Sequence, residues 1–151
     1  MHSTSTILIH TPKEKVFSMV SQLLQWPEFL PHYRFVREIK EGAITSRQGE
    51  LHLQMSAIGG WFPATWRALY DSNPETLELH FEHTAAFTKG MRVVWTLNSV
   101  TEGTQVEILH ELRFRFRALA WLMEPVLRFG FIEPVARKTL ARFKVLLEAQ
   151  Q

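Results

Sequence analysis

The chain has no cysteine among its 151 residues. Disulfides, thiolate metal sites and a cysteine nucleophile are therefore excluded. A cysteine-free composition fits a reducing cytoplasm, where the protein is expected. No apolar run approaches the ~18 uncharged residues that mark a membrane-spanning helix. The N-terminus lacks the basic and then apolar stretch of a signal peptide. Net charge is scarce too: 17 basic residues against 15 acidic ones leave +2. The sequence pI of about 9.2 overstates that surplus. With no thiol and only two tyrosines, little titrates between histidine and lysine. Such a balance does not point to a nucleic-acid partner.

The signatures of several chemistries are missing as well. There is no Gly-x-Ser-x-Gly elbow for a serine nucleophile. Gly59-Gly60 is not followed by the Lys-Ser/Thr of a phosphate loop. Acidic residues fall almost wholly on the outward positions of the expected strands, so no carboxylate pair for acid–base work is visible. His80 and His83 stand three apart, which in a strand places them on opposite faces. His2, His10, His32 and His52 show no ligand spacing. Neither a metal nor a cofactor is expected.

What the chain does have is apolar residues in abundance, 46% of the total. A single domain over 1–151 of this size buries roughly 70% of its unfolded surface. Ile7, Leu8 and Ile9 read as a first strand. Thr11 as N-cap, Pro12 at the first helical position and Glu14 two residues on then start a helix. Val16, Phe17, Val20, Leu23 and Leu24 carry its apolar spacing. Pro27 and Pro31 reduce residues 22–30 to a short second helix or turn.

From Tyr33 the period becomes two. Residues 33–40 put Tyr33, Phe35, Arg37 and Ile39 on one face, and Gly42 and Gly49 flank the next turn. Later faces carry Leu51, Leu53, Met55 and Ala57; Phe62, Ala64, Trp66, Ala68 and Tyr70; Leu77, Leu79, Phe81 and His83; Met91, Val93, Trp95 and Leu97. The last runs over 105–116 with Val106, Ile108, His110, Leu112, Phe114 and Phe116. Such one-sided alternation predicts an antiparallel sheet with one buried face. The remainder is helical. Phe129, Ile132, Ala136, Leu140, Phe143 and Leu147 form one stripe, and Pro125 and Pro134 predict a kink or broken start before it.

One apolar sheet face and one apolar helix stripe cover each other most economically when the sheet curves around the helix. The architecture predicted is α+β: about seven antiparallel strands in the order β-α-α-β6-α, wrapped around a long C-terminal helix. A cavity between them would be lined by Met55, Trp66, Phe81, Trp95 and Phe129. Tyr33, Tyr70, His83 and His110 are polar but lie in phase with apolar faces. They are the candidates to orient the polar end of a ligand, since a buried polar group needs a partner.

The chain resembles the helix-grip fold of the START-like (SRPBCC) superfamily, and within it the polyketide cyclase/dehydrase and coenzyme Q-binding group. The residues that carry the likeness are Pro12, Val16 and Phe17; Trp26-Pro27 with Leu30-Pro31-His32-Tyr33; and Phe131-Ile132, Pro134-Val135-Ala136, Thr139-Leu140 and Lys144. These motifs identify a scaffold rather than a chemistry. The resemblance implies a tyrosine after the Trp-Pro pair, which Tyr33 supplies. It also implies a serine and an arginine inside the pocket, where this chain has Ala68 and Tyr70; alternation turns Arg67 outward.

The function expected is binding or transport of a hydrophobic small molecule: a lipid, an isoprenoid quinone or an aromatic polyketide. The alternative is a polyketide cyclase or dehydratase, with His110 or His83 as acid–base and Tyr33 as partner to an enol or ketone. Residues 118–132 are apolar almost all round, with Trp121 and Arg128. They read as the buried start of the last helix, or else as an entrance that touches a membrane transiently. Arg113, Arg115 and Arg117 read as an outer basic stripe of the last strand.

Overall fold

A computed structural model describes residues 1–40, 50–86 and 88–150. Gly42 and Gly49 lie outside the described residues. Seven strands form one open, curved antiparallel sheet: β1 (His2–Ile9), β2 (Tyr33–Glu38), β3 (Leu51–Ile58), β4 (Pro63–Asn73), β5 (Glu78–His83), β6 (Arg92–Val100) and β7 (Gly103–Glu111). Their spatial order is β1-β7-β6-β5-β4-β3-β2. After β1 come α1 (Lys13–Val20), a 3-10 turn (Leu23–Gln25) and α2 (Trp26–Phe29). After β7 come α3 (Arg117–Leu127), a π-helical turn (Arg128–Ile132) and α4 (Glu133–Glu148). Among the described residues no helix is long and apolar enough to cross a membrane. The helix-grip arrangement read from the sequence is the arrangement present.

Four local expectations need correction. The first helix starts at Lys13 with Pro12 as its N-cap, not with Thr11. In β2 the alternation does not run unbroken. Tyr33 pairs with Ala57 and Phe35 with Ser56, so Arg34 is an extra residue, a bulge. The phase flips there, and Val36 is buried beside Tyr33 while Arg37 turns out and lies over the Phe35 ring.

The last strand ends at Glu111, well short of Phe116. Glu111 is matched by His2 on β1 and by Arg92 on β6, the terminal residue of each neighbour. Leu112 still exchanges backbone hydrogen bonds with Met1, at 2.9 and 2.6 Å, and past that pair the chain leaves the sheet, so Arg113 and Arg115 belong to a connecting segment and Arg117 opens α3. Finally, Phe129 does not belong to the core stripe; half of its surface is exposed. A π turn takes one residue more per turn than an α-helix. That extra residue carries Phe131 to the inner face instead.

The core lies between the concave sheet face and α4. Leu140, Phe143 and Leu147 of α4 share this core with Ile9, Leu79, Leu97, Val106 and Ile108, all buried. Trp26 is the hub. Its ring meets those of Tyr33, Phe81, Trp95 and Phe143 at 5.3–6.2 Å, and its Nε1–H donates to the Val20 carbonyl at 3.0 Å. This satisfies the one polar atom of a side chain that is otherwise a large apolar filler.

The π turn is tied to the sheet by a proline. Pro134 has no N–H to give the Gly130 carbonyl four residues back. That carbonyl accepts from the Trp61 N–H at 2.9 Å instead. The β3–β4 turn is thereby fastened to the helix, close to the end of the sheet where the core opens.

Candidate functional site

The helix does not fill the concavity. A cavity of about 390 Å³ remains between the sheet, the π turn and the first turns of α4. Trp26, Met55, Phe81, Val93, Trp95 and Ile108 line its sheet side and depth, and Leu127, Phe131, Ile132, Val135 and Ala136 its helical side. Pro63, Thr65 and Ala86 also line it and are exposed, which places the mouth at the β3–β4 turn and the loop after β5. No Asp, Glu, Lys or Arg lines the cavity among the described residues.

Its polarity comes from His83, His110, Tyr33 and three threonines, Thr65 at the mouth and Thr88 and Thr139 deeper in. His83 ends β5 and pairs with Ala68 of β4. Its Nδ1 lies 3.0 Å from the Thr88 hydroxyl. The Trp66 ring stacks parallel to the imidazole, 4° apart at 6.1 Å between centroids. His110, on β7, faces Val93 of β6 in register. Its Nδ1 is buried and has no hydrogen-bond partner among the described residues. Burial lowers the pKa of His83 to about 3, with the neighbouring His110 imidazole adding to the effect. Burial alone lowers that of His110 to about 4. At neutral pH both rings are uncharged. Each then has one N–H donor and one bare nitrogen acceptor.

Tyr33 closes the opposite side. Burial drives its phenol pKa up, against a smaller opposing effect of the Thr139 hydroxyl, so the phenol stays protonated. Thr139 donates to the Val135 carbonyl at 2.7 Å, and His32 Nε2 lies 2.9 Å from the same hydroxyl. Burial, then the charge of Lys138, lowers the His32 pKa to about 4. The Tyr33 ring is held edge-on by Trp26 and Trp66.

Of the residues expected to bind a ligand, Tyr33, Met55, Trp66, Phe81, His83, Trp95 and His110 line this cavity. Tyr70 and Phe129 do not. The Tyr70 hydroxyl donates to the Ser21 carbonyl at 2.9 Å, which makes it a strut between β4 and the end of α1. Burial pushes its pKa up to about 12. Phe129 points outward, where Arg128 lies over its ring at 5.2 Å. Ala68 is buried and Arg67 exposed on the other face, near enough to His52 to lower its pKa, after burial.

Three polar lining residues are absent from the sequence expectations: Thr65, Thr88 and Thr139. Thr139 interrupts the apolar stripe of α4, a signal that was there to be read. Thr88 sits in a loop whose pattern gives no hint of its direction.

A family model described as polyketide cyclase/dehydrase and lipid transport matches residues 9–144. No curated protein sequence matches the chain. Among solved structures, an aromatase/cyclase from Streptomyces sp. R1128 is similar at 16% identity and a TM-score of 0.78, over 99% of this chain and 94% of its own. A protein from Thermus thermophilus is similar at 12% identity and a TM-score of 0.79, over 100% and 99%. A START superfamily protein from Mycobacterium smegmatis is similar at 8% identity and a TM-score of 0.70, over 99% of both chains. Likeness at these identities speaks for the fold.

Proposed function

Because this chain belongs to the polyketide cyclase/dehydrase and lipid transport family, we propose that it binds and carries an uncharged hydrophobic small molecule in the cavity between sheet and helix. A neutral lipid, an isoprenoid quinone and an aromatic polyketide are the ligand classes that suit it. One observation supports this above the others: among the described residues, an apolar, aromatic cavity contains a buried nitrogen, His110 Nδ1, without a partner, and no ionised lining group. A buried polar atom left unsatisfied costs ~1–3 kcal/mol, and a ligand hydroxyl or carbonyl would recover part of that. A carboxylate or phosphate would enter without a countercharge, at a high desolvation cost.

Native mass spectrometry of protein purified from its own host tests the carrier reading. A co-purifying neutral hydrophobic molecule is expected; repeated recovery of empty protein would overturn the proposal. A matched probe series tests the chemistry. 1-Naphthol should bind about 3- to 10-fold more tightly than naphthalene, the value of one hydrogen bond. 1-Naphthoate should bind more weakly than both. Preference for the naphthoate would refute the uncharged class.

The second reading, cyclisation of a poly-keto chain, draws on the two imidazoles in the cavity. With pKa values near 3 and 4, they are weak bases and are not protonated acids at neutral pH. Tyr33 is no better supplied with phenolate. Catalysis here would therefore rest on holding the chain folded for ring closure. Turnover of a poly-keto substrate by the wild type, lost on His110→Leu and His83→Leu, would favour it over the carrier.

A further inference from the structure

Among the described residues, helix α3 is amphipathic in composition but has almost nothing to pack against. Leu127 is its one buried residue, at the end that joins the π turn. Leu119, Trp121, Leu122 and Val126 are exposed, Trp121 by 82% and Leu122 by 62%. Phe116 before it and Phe129 after it are exposed as well. Trp61, 64% exposed, extends the surface from the β3–β4 turn, where its ring lies against Gly130 so closely that a Cβ there would meet it at 2.4 Å. Monomeric proteins rarely leave an apolar surface of this kind without a partner.

Charge says what the partner is. Arg113, Arg115 and Arg117 cluster at the N-terminal end of α3, all exposed and without an ion pair among the described residues. Arg128 is the exception, paired with Glu133 at 2.9 Å. The first turn of α3 has no acidic residue and no side-chain cap, so within that turn nothing offsets three cations beside the positive end of a helix dipole. A partner rich in anionic groups would. Two exposed tryptophans with arginines alongside suit the depth of a bilayer interface, where indoles sit at headgroup level. A second copy of this chain is the wrong partner, since in an isologous contact it would present the same arginines and the same acid-free first turn of α3, and no anionic surface.

We propose that α3, together with the Trp61 turn, docks the protein onto the surface of an anionic phospholipid bilayer. Leu127 and Phe131, at the base of this surface, also line the cavity. The docked face therefore adjoins the route into the cavity, and a hydrophobic molecule could pass between bilayer and cavity there. Docking itself does not depend on which ligand the cavity takes.

Flotation with vesicles tests it directly. The intact protein should float with phosphatidylcholine vesicles that contain phosphatidylglycerol, and markedly less with phosphatidylcholine alone or at raised salt. Arg113→Gln/Arg115→Gln/Arg117→Gln should weaken binding to the anionic vesicles by on the order of 100-fold. Trp121→Ser/Leu122→Ser should weaken it at least ~10-fold, with unchanged circular dichroism, because neither side chain supports the core. Lys13→Gln/Lys15→Gln, on α1, should bind as the wild type does. The proposal is overturned by equal binding to both vesicle types, by an unaffected Trp121→Ser/Leu122→Ser variant, or by an equal loss in the α1 variant, which would mean bulk charge alone. It is overturned equally if light scattering shows a dimer that the Trp121→Ser/Leu122→Ser variant dissolves.

Discussion

At the scale of the residue, His110 concentrates the functional question. A protein optimised only for stability would place leucine or phenylalanine at an inward position between Ile108 and Leu112. Removing both an unsatisfied polar atom and its desolvation cost is neutral or stabilising when the replacement keeps the shape. His110→Leu should therefore leave the urea unfolding midpoint at pH 7 unchanged or raise it. The same variant should lose the preference for 1-naphthol over naphthalene, read by quenching of tryptophan fluorescence. A large fall in stability with that preference intact would mark His110 as a structural residue whose nitrogen matters to nothing. Both cavity histidines were legible in the sequence, because alternation alone puts His83 and His110 in phase with apolar neighbours. Tyr70 satisfied the same rule yet serves as a strut. Alternation gives the face of a side chain and says nothing of what waits at its tip, here the Ser21 carbonyl at the end of α1.

At the scale of the element, the strands were legible wherever their pattern was local, and misread where a boundary depended on neighbours. The bulge at Arg34 comes from pairing with β3, and the end of β7 from the ends of β1 and β6. The stripe of the last helix was misread at Phe129 because a π turn, invisible to a 3.6-residue count, shifts the phase. Pro134 pointed to a break there; what it could not indicate was the rescue of the Gly130 carbonyl by the Trp61 N–H. That rescue requires glycine at 130, since the Trp61 ring occupies the space of a side chain. Gly130→Ala should cost about 1–3 kcal/mol, seen as a lower thermal midpoint. In a Trp61→Ala background the same change should cost much less, and a double-mutant cycle measures the coupling. Additive losses would show that the close approach is not what Gly130 serves. Phe143→Ala, which empties the fully buried centre of α4, should cost more, about 3–5 kcal/mol.

At the scale of the whole molecule, the open sheet and the helix that lies across it explain why three histidines can be kept neutral. His32 is half-buried against α4 beside Lys138, and His83 and His110 are surrounded by a core whose concavity the helix only partly fills. Each has its pKa lowered from 6.5, to about 4, about 3 and about 4 respectively. In the unfolded chain all three return to ordinary values and take up protons below pH 6.5. Over that range the unfolded state binds more protons than the native one, so stability rises with pH. The native state therefore loses stability steadily as pH falls from about 6.5 towards 4, and the loss levels off only when the buried rings themselves protonate. At neutral pH and above, the three groups contribute no slope. Urea midpoints across pH 4 to 8 should be flat above 7 and fall on the acid side. His110→Leu should reduce the acid slope by about 1.4 kcal/mol per pH unit at most, the share of one proton. A ligand that fills the cavity would bind only the native state, raising the midpoint by mass action at every pH. If it accepts a hydrogen bond from a neutral imidazole or donates one to it, its affinity should hold from pH 8 down to pH 5. Affinity that instead follows a titration near pH 6.5 would mean that a charged histidine makes the contact, and the cavity would then not be the uncharged one that its lining describes.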